Sequence, residues 1–441
     1  MIILLLLFGL FPLTSFSTND GEYVEQLTQR LVPFYEKLHQ NPELSFQEEK
    51  TSTAFAAQLR ELGFQVQHPF GGFGVVGTLK NGEGPTVLLR TDLDALPILE
   101  QTQLPYASKI RNKTAQGLES GVMHACGHDL HITNMVGVAN YLKQHKNRWK
   151  GTAMIIGQPA EEKGAGAKAM LKAGLFKKFP HPNFALAMHV ESSQTTGKVR
   201  LISGPVTANV DSIDIKMKGR GGHGATPHET IDPIPMTSEL VLSLQSLVSR
   251  EKDPFEPAVI TVGSFHAGSK HNIIADYALL QLTIRTFSPS ERTRVIEGIT
   301  RRAKAIASAY GAPEPEINSS EDPVPSVIND PEMVATLKPV ITRIIGAKNI
   351  LDGHPSTVGE DFSRYGLEGV PSVMVSVGVL TEKRLEQYRK KGHVPSLHSS
   401  TFYPSVLETL RISIPVLGES AIELFNPQDG RLAPLKSPIK G

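Results

Sequence analysis

The eight residues His124-Ala125-Cys126-Gly127-His128-Asp129-Leu130-His131 hold three histidines, an aspartate and the single cysteine of the chain. Imidazole, thiolate and carboxylate are the donors that bind transition metals, and a glycine among them lets the backbone turn tightly. An apolar stripe at helical spacing follows, Ile132, Met135, Val136, Ala139 and Leu142, which places the stretch at the mouth of a helix. A metal site is one reading. A reactive thiol is another, with Cys126 as nucleophile and His128 or His124 as its base.

Polar residues also end three apolar runs. Thr86-Val87-Leu88-Leu89 reads as a buried central strand and leads into Arg90-Thr91-Asp92-Leu93-Asp94. Residues 152–156 lead into Gly157-Gln158-Pro159-Ala160-Glu161-Glu162, and residues 184–188 stop at His189. Open α/β sheets gather their sites at the C-terminal ends of strands, so these groups are expected along one rim of a mostly parallel sheet. His393 and His398 lie in a loop rich in Gly, Pro and Ser.

Cys126, His128, Glu162, His189 and His398, with Glu161, Asp92 and Asp94 nearby, are too many donors for one tetrahedral structural zinc. They suit two divalent ions about 3.5–4 Å apart, an arrangement that polarises a carbonyl and acidifies a water molecule. One glutamate of the pair could bind metal while the other carries a proton from water to a leaving amine. The reactive-thiol reading leaves Glu161, Glu162, His189 and His398 without a role. A third reading, a binding protein that keeps the fold without the chemistry, would be signalled by loss of a ligand or the base. All of them are present.

The elements that must position these residues are legible in outline. A first helix is expected over 22–38. A second follows Ser45-Phe46-Gln47-Glu48, which has the form of a capping box, and ends at Gly63. Extended runs at 74–79 and 86–90 flank Asn81-Gly82, a hairpin signal. Near residue 208 the pattern changes. Ile213, Ile215 and Met217 alternate with Asp214, Lys216 and Lys218, as in a strand with one solvated face. Then come the Gly-rich turn Gly219-Arg220-Gly221-Gly222-His223-Gly224, a helix opened by Asp232-Pro233, strands at 259–265 and 278–287, a helix over 290–310 and a strand near Glu316. That β-α-β-β-α-β order describes a ferredoxin-like α+β unit inserted into the first as a lid or dimerisation domain. A helix over 331–345, an acidic turn Gly359-Glu360-Asp361-Phe362, a buried strand at 370–377 and a helix over 407–424 return to the parallel-sheet α/β domain. The resulting division is 20–207 and 320–425 for the catalytic domain, 208–319 for the lid, and 426–441 for a loose tail rich in Pro, Lys and Gly.

Length and composition are consistent with this. At 441 residues the chain has room for two or three domains. Its 45 basic and 44 acidic residues balance, which argues against nucleic acid or a membrane surface as partner. One cysteine excludes an intrachain disulfide framework. Residues 2–10 are almost wholly apolar, and Ser15-Phe16-Ser17 offers small residues where a signal peptidase reads. The run is short for a membrane span. Residues 1–17 are thus expected to be an export signal, making the protein secreted or periplasmic, with no membrane attachment once the signal is cleaved.

The motifs RTDLDALP, MHACGHDLH, QPAEE, AMHV, GRGGHGATPH, HNIIAD, IRTF, GEDF and LHSSTF stand in the order found in the N-acyl-amino-acid amidohydrolases. The chain resembles that group of hippurate hydrolases and indole-acetyl-amino-acid hydrolases, relatives of aminoacylase and carboxypeptidase G, from about residue 30 to 425. The resemblance implies a two-metal amidohydrolase acting on N-acyl amino acids or short peptides, with zinc or manganese, and cobalt or nickel as further candidates. It implies Cys126, His128, Glu162, His189 and His398 as metal ligands, Glu161 as general base and acid, and Asp94 as an aspartate orienting a ligand. His223 matches a histidine that stabilises the oxyanion, in relatives often from the partner subunit of a homodimer. Asn272 and Arg285 match positions that hold the carboxylate of the amino acid. Three departures stand out: Thr91 where Ala is usual, Ile274-Ala275 where Ile-Pro is common, and Val358 where a small residue is usual. None removes a ligand or the base.

Overall fold

The structure, a computed structural model, describes residues 18–114, 117–320 and 322–426; the segment expected to be an export signal and all but Asn426 of the expected tail lie outside them. The chain divides into two compact units: residues 1–204, 329–353 and 364–441, and residues 205–328 with 354–363. The acidic turn around Glu360 thus clusters with the second unit, not with the sheet domain that the sequence order suggests.

The first unit is built on an eight-stranded mixed sheet. Its order is Gln65–Phe70, Gly74–Asn81, Gly151–Gln158, Thr86–Asp92, Phe184–Thr195, Ser372–Leu380, Val199–Arg200 and Ile350–Leu351. The four central strands run parallel, with Leu89 opposite both Ile155 and Leu186, and Ser376 opposite His189. Thr86–Asp92 is buried along its whole length, which is why its sequence is continuous in apolar residues and not alternating. Helices His128–Gln144, Val406–Phe425, Thr18–Gln40 and Pro331–Ile345 supply Val136, Leu417, Leu31 and Leu337 to one apolar core with the sheet. The first two of these helices approach closely because Gly137 has no side chain: a Cβ there would lie 2.3 Å from Ile414 Cδ1.

Three expectations need correction. Asn81-Gly82 is not the turn of a hairpin. The strand Gly151–Gln158 inserts between the two runs, antiparallel to Gly74–Asn81 and parallel to Thr86–Asp92. Its apolar faces demand a central place, and the Asn81 amide caps the insertion by donating to the Lys146 and Trp149 carbonyls at 2.7 and 2.6 Å. Ser45 and Glu48 do not cap each other either. The helix is Glu49–Glu61, and both side chains are turned to the site described below. Finally, His189 does not end its strand, because pairing with Ser372–Leu380 continues to Thr195. On the other side pairing with Thr86–Asp92 stops at Ala187, and this frees His189.

The second unit is a four-stranded antiparallel sheet ordered Ala258–Ala267, Tyr277–Thr286, Asn209–Lys218 and Glu316–Ser319. Helices Pro233–Ser246 and Pro289–Ala309 cover one face, joining Leu240, Leu244 and Ile299 to Ile213, Ile215, Leu280 and Ile284. This is the ferredoxin-like arrangement. Asp232 caps its helix, accepting from the Ile234 N–H at 2.9 Å. No helix of the described residues is long and apolar enough to cross a membrane.

Candidate metal centre

The parallel strands of the first unit deliver Asp92, the Glu161-Glu162 turn and His189 to one rim, and the helix beginning at His128 delivers the rest. Gly127 takes a φ of 82° before that helix, a conformation glycine adopts without penalty. A loop far along the chain closes the cradle: the His398 N–H donates to the Ala125 carbonyl at 2.9 Å, and His398 itself sits at a φ of 64°. Such strain in a non-glycine residue persists only where surrounding structure enforces it.

All five candidate ligands converge. Cys126, His128 and His189 form one group whose donor atoms lie within 4.8 Å of one another, and Cys126, Glu162 and His398 form a second. Cys126 belongs to both. Cys126 Sγ lies 3.6 Å from His189 Nε2, and Glu162 Oε1 lies 3.4 Å from His398 Nε2 and 3.9 Å from His128 Nε2. Glu161 Oε2 is 3.8 Å from His128 Nε2.

The backbone fixes which nitrogen of each histidine is free. His128 Nδ1 faces the Asp94 carbonyl at 2.8 Å, and His189 Nδ1 faces the Val190 carbonyl at 2.8 Å. A carbonyl only accepts, so Nδ1 carries the hydrogen in both, and in the neutral rings Nε2 presents a lone pair to the cradle. His131 is different. Its Nε2 accepts from the Val190 N–H at 3.0 Å and its Nδ1 donates to Asp92 Oδ1 at 2.7 Å, which occupies both nitrogens. Burial pushes its pKa down to about 4, so it serves as a neutral strut. Asp92 also accepts from the Arg90 guanidinium at 2.6 Å, and Arg90 donates to Gln158 at 3.1 Å.

His128 Nε2 and Glu162 Oε1 are buried and have no hydrogen-bond partner among the described residues. Leaving such atoms bare is costly, and a divalent cation satisfies both. The electrostatics agree. Burial alone would lower the His128 pKa, but the Asp92 carboxylate and the bond to Asp94 hold it well above the usual histidine range, so positive charge is favoured there. Burial, reinforced by Glu162, pushes the Cys126 thiol well up. Such a thiol is no nucleophile by itself, whereas ligation to a cation would ionise it. The donor set fits a metal.

Asp94 does more than orient one ligand. Its backbone carbonyl holds His128, while its carboxylate accepts the Glu161 and Glu162 N–H groups at 3.1 and 3.0 Å and the Ser45 hydroxyl at 2.6 Å. Burial would raise its pKa, but the His128 and Ser45 bonds hold it below the usual carboxylate value.

The remaining candidates lie in the second unit. His223 is exposed, in a two-stranded ladder where it faces Ile273 and Gly222 faces Ile274. The Gly224 N–H donates to the Asn272 carbonyl at 3.0 Å, bringing His223 and Asn272 into one turn. The Ala225 N–H donates to His223 Nδ1 at 3.0 Å, so the neutral ring carries its hydrogen on Nε2. Arg285 stands in the main sheet between Val210 and Val259, half-buried and without an acidic partner among the described residues. The sequence reading missed Ser45, Glu48, Arg90, Asp129 and His39, which support the cradle. Arg90 and Asp129 lie within the polar stretches already singled out, whereas Ser45 and Glu48 read as a helix cap and His39 follows the expected first helix.

Comparison with known proteins agrees with this geometry. A family model described as peptidase family M20/M25/M40 matches residues 88–396. The chain is 35% identical over 383 residues to thermostable carboxypeptidase 2 of Saccharolobus solfataricus, covering 86% of this chain and 91% of that protein. It is 39% identical over 332 residues to hippurate hydrolase of Campylobacter jejuni, covering 75% and 83%. A crystal structure from Bacillus subtilis, described as a dinuclear metal binding peptidase from M20 family, superposes with a TM-score of 0.75 at 31% identity, over 91% of this chain and 99% of that one.

Proposed function

The chain belongs to peptidase family M20/M25/M40, and we propose that it is a metal-dependent amidohydrolase cleaving the amide bond of N-acyl amino acids. The observation that carries the reading is the pair of bare, buried donor atoms, His128 Nε2 and Glu162 Oε1, beside the Cys126 thiol. Cys126, His128, Glu162, His189 and His398 would hold two divalent ions, zinc or manganese first, cobalt or nickel next. When bound, the ions supply Lewis acidity, polarising the amide carbonyl and acidifying a water molecule.

The chain's own residues do the rest. Glu161 takes the proton of the attacking water at its carboxylate and returns it to the amine nitrogen as the C–N bond breaks. Asp94 holds the backbone of both glutamates, so neither rotates away. His223 has its Nε2–H available to donate to an oxyanion, and Asn272 and Arg285 are the groups to receive the carboxylate of the amino acid. The Arg285 guanidinium, without an acidic partner among the described residues, suits that anion.

A metallo-carboxypeptidase or dipeptidase acting on short peptides is the second reading, favoured by the likeness to thermostable carboxypeptidase 2. A homodimer through the second unit is supported by its exposed edge strand Ala258–Ala267, which carries Val259 and Phe265 outward. Export rests on residues 1–17 alone.

The test is metal content together with hydrolysis of N-benzoylglycine, N-acetyl amino acids and dipeptides, before and after chelation. Two ions per chain and acyl-amino-acid cleavage that chelation abolishes and Zn²⁺ or Mn²⁺ restores is the expected result. Peptide cleavage alone would move the assignment to the second reading. Chelator-resistant activity lost on alkylation of Cys126 would overturn both.

A further inference from the structure

The segment Ser45–Glu48 has the form of a local helix cap yet both of its key side chains reach across the unit to the glutamate turn. Ser45 donates to Asp94, which in turn receives the Glu161 and Glu162 N–H groups. Glu48 reaches the same turn one residue earlier. Its Oε1 accepts the Ala160 N–H at 2.8 Å across 112 positions of sequence, and the Phe46 N–H at 2.8 Å.

The two donors share a property. Among the non-glycine described residues only Phe46, Gln103, Ala160 and His398 have positive φ, and Phe46 and Ala160 stand at 64° and 50°. One carboxylate oxygen therefore receives the amides of two residues held in the left-handed region. An isolated Ala prefers other conformations by roughly 1 kcal/mol or more, so something must hold Ala160 there. Inside the turn its carbonyl accepts from the Ala165 and Gly166 N–H groups at 3.2 Å each, which leaves its own N–H to Glu48. The φ and ψ of Ala160 set the direction in which Glu161 and Glu162 leave the strand. Glu48 itself is fully buried, and its Oε2 has no hydrogen-bond partner among the described residues.

We propose that Glu48 is a positioning residue: by holding the Ala160 amide in its left-handed conformation it aims Glu161 and Glu162 into the metal cradle. The proposal rests on the roles assigned to Glu161 and Glu162 above. Glu48 belongs to none of the donor groups of the cradle and bonds to the backbone amides of Phe46 and Ala160. Its work is geometric, done by one acceptor oxygen at the right reach, and does not require a negative charge. Burial, with the nearby Asp94 charge second, raises its pKa to about 7, so the neutral form is already accessible near neutrality.

The experiment compares Glu48→Gln, Glu48→Asp and Glu48→Ala with the parent in the metal-loaded full chain. It reads kcat and KM on N-benzoylglycine, bound metal and thermal stability, with Glu161→Gln alongside. Glutamine keeps the acceptor at the same reach and should retain most of kcat. Aspartate keeps the charge but falls short of Ala160, so it and alanine should lose about 10²-fold in kcat, the scale of an ångström of misplacement, with KM little changed. Folded Asp and Ala variants with parental kcat would overturn the proposal, as would a Gln variant as impaired as Ala. Should the Ala variant not fold, the Asp and Gln pair decides alone. An active Glu161→Gln would instead sink the functional reading, whereas an inactive Glu161→Gln beside an undisturbed Glu48→Ala would sink only this inference.

Discussion

The histidines of the two units are chemically the same residue set in opposite ways. In the sheet unit His128 and His189 give their Nδ1 hydrogens to backbone carbonyls and turn Nε2 towards the cradle, bare in His128 and facing the Cys126 sulfur at 3.6 Å in His189. In the second unit His223 receives a backbone N–H at Nδ1, and its hydrogen goes to Nε2. The first arrangement suits a ligand, the second a donor. Burial follows the same division. His128 is fully buried in a network reaching Asp94 and Asp92, whereas His223 is exposed and its ring is held by one bond, from the N–H of a residue two positions on. A ligand must be fixed before the ion arrives. A donor to a charge that develops only during reaction needs its hydrogen available, not a buried cage.

The strongest way to break this comparison is to remove a ligand-type histidine. His128→Gln should lose bound metal and activity together. Transition-state stabilisation of several kcal/mol goes with the ions, so kcat/KM should fall by roughly 10³-fold or more. Full metal content in an inactive variant, read by elemental analysis, would show that the lone-pair argument misassigned the ring.

A smaller effect is expected at the donor. His223→Ala should cost about 10²–10³ in kcat with metal content unchanged, the usual loss on removing one oxyanion donor. His223→Gln, which keeps an N–H, should recover part of it. If metal falls with activity in the His223 variants, the two histidine classes are not distinct.

Much of this was legible in the sequence, and the failures have a common cause. The buried strand Thr86–Asp92, the ligand-rich mouth of the His128 helix and the alternating strand Asn209–Lys218 were readable because burial imposes period and composition on neighbouring residues. The hairpin at Asn81-Gly82 failed because turn chemistry reports only a turn, while the partner strand comes from 70 residues away. Ser45 and Glu48 failed for the same reason. Their spacing satisfies a local capping rule, but a buried Asp94 carboxylate and a buried Ala160 amide are stronger claims on them. Tautomers were beyond reach altogether, since the acceptors that set them, the Asp94 and Val190 carbonyls, are defined only once strands are in register.

The mildest perturbation tests the layer behind the ligands. His39 lies between two carboxylates, Nδ1 at 2.6 Å from Asp129 and Nε2 at 3.0 Å from Glu100, with Tyr35 at 3.3 Å. Burial alone would favour the neutral ring, but the bonds to Asp129 and then Glu100 win and raise its pKa to about 10. Unlike the neutral strut His131, it is an imidazolium clamp whose partner Asp129 adjoins His128. Because the folded pKa lies above the ordinary value of 6.5, its contribution to stability is complete below pH 6.5 and is lost as pH rises through about 10. His39→Gln should thus lower the melting temperature most at pH 6, because it leaves the buried Asp129 carboxylate without its cation, a loss of about 3–5 kcal/mol. The gap between parent and variant should close towards pH 10.5. A gap independent of pH in thermal melts would mean that His39 acts by packing alone, and that the cradle is braced by its backbone bonds and not by charge.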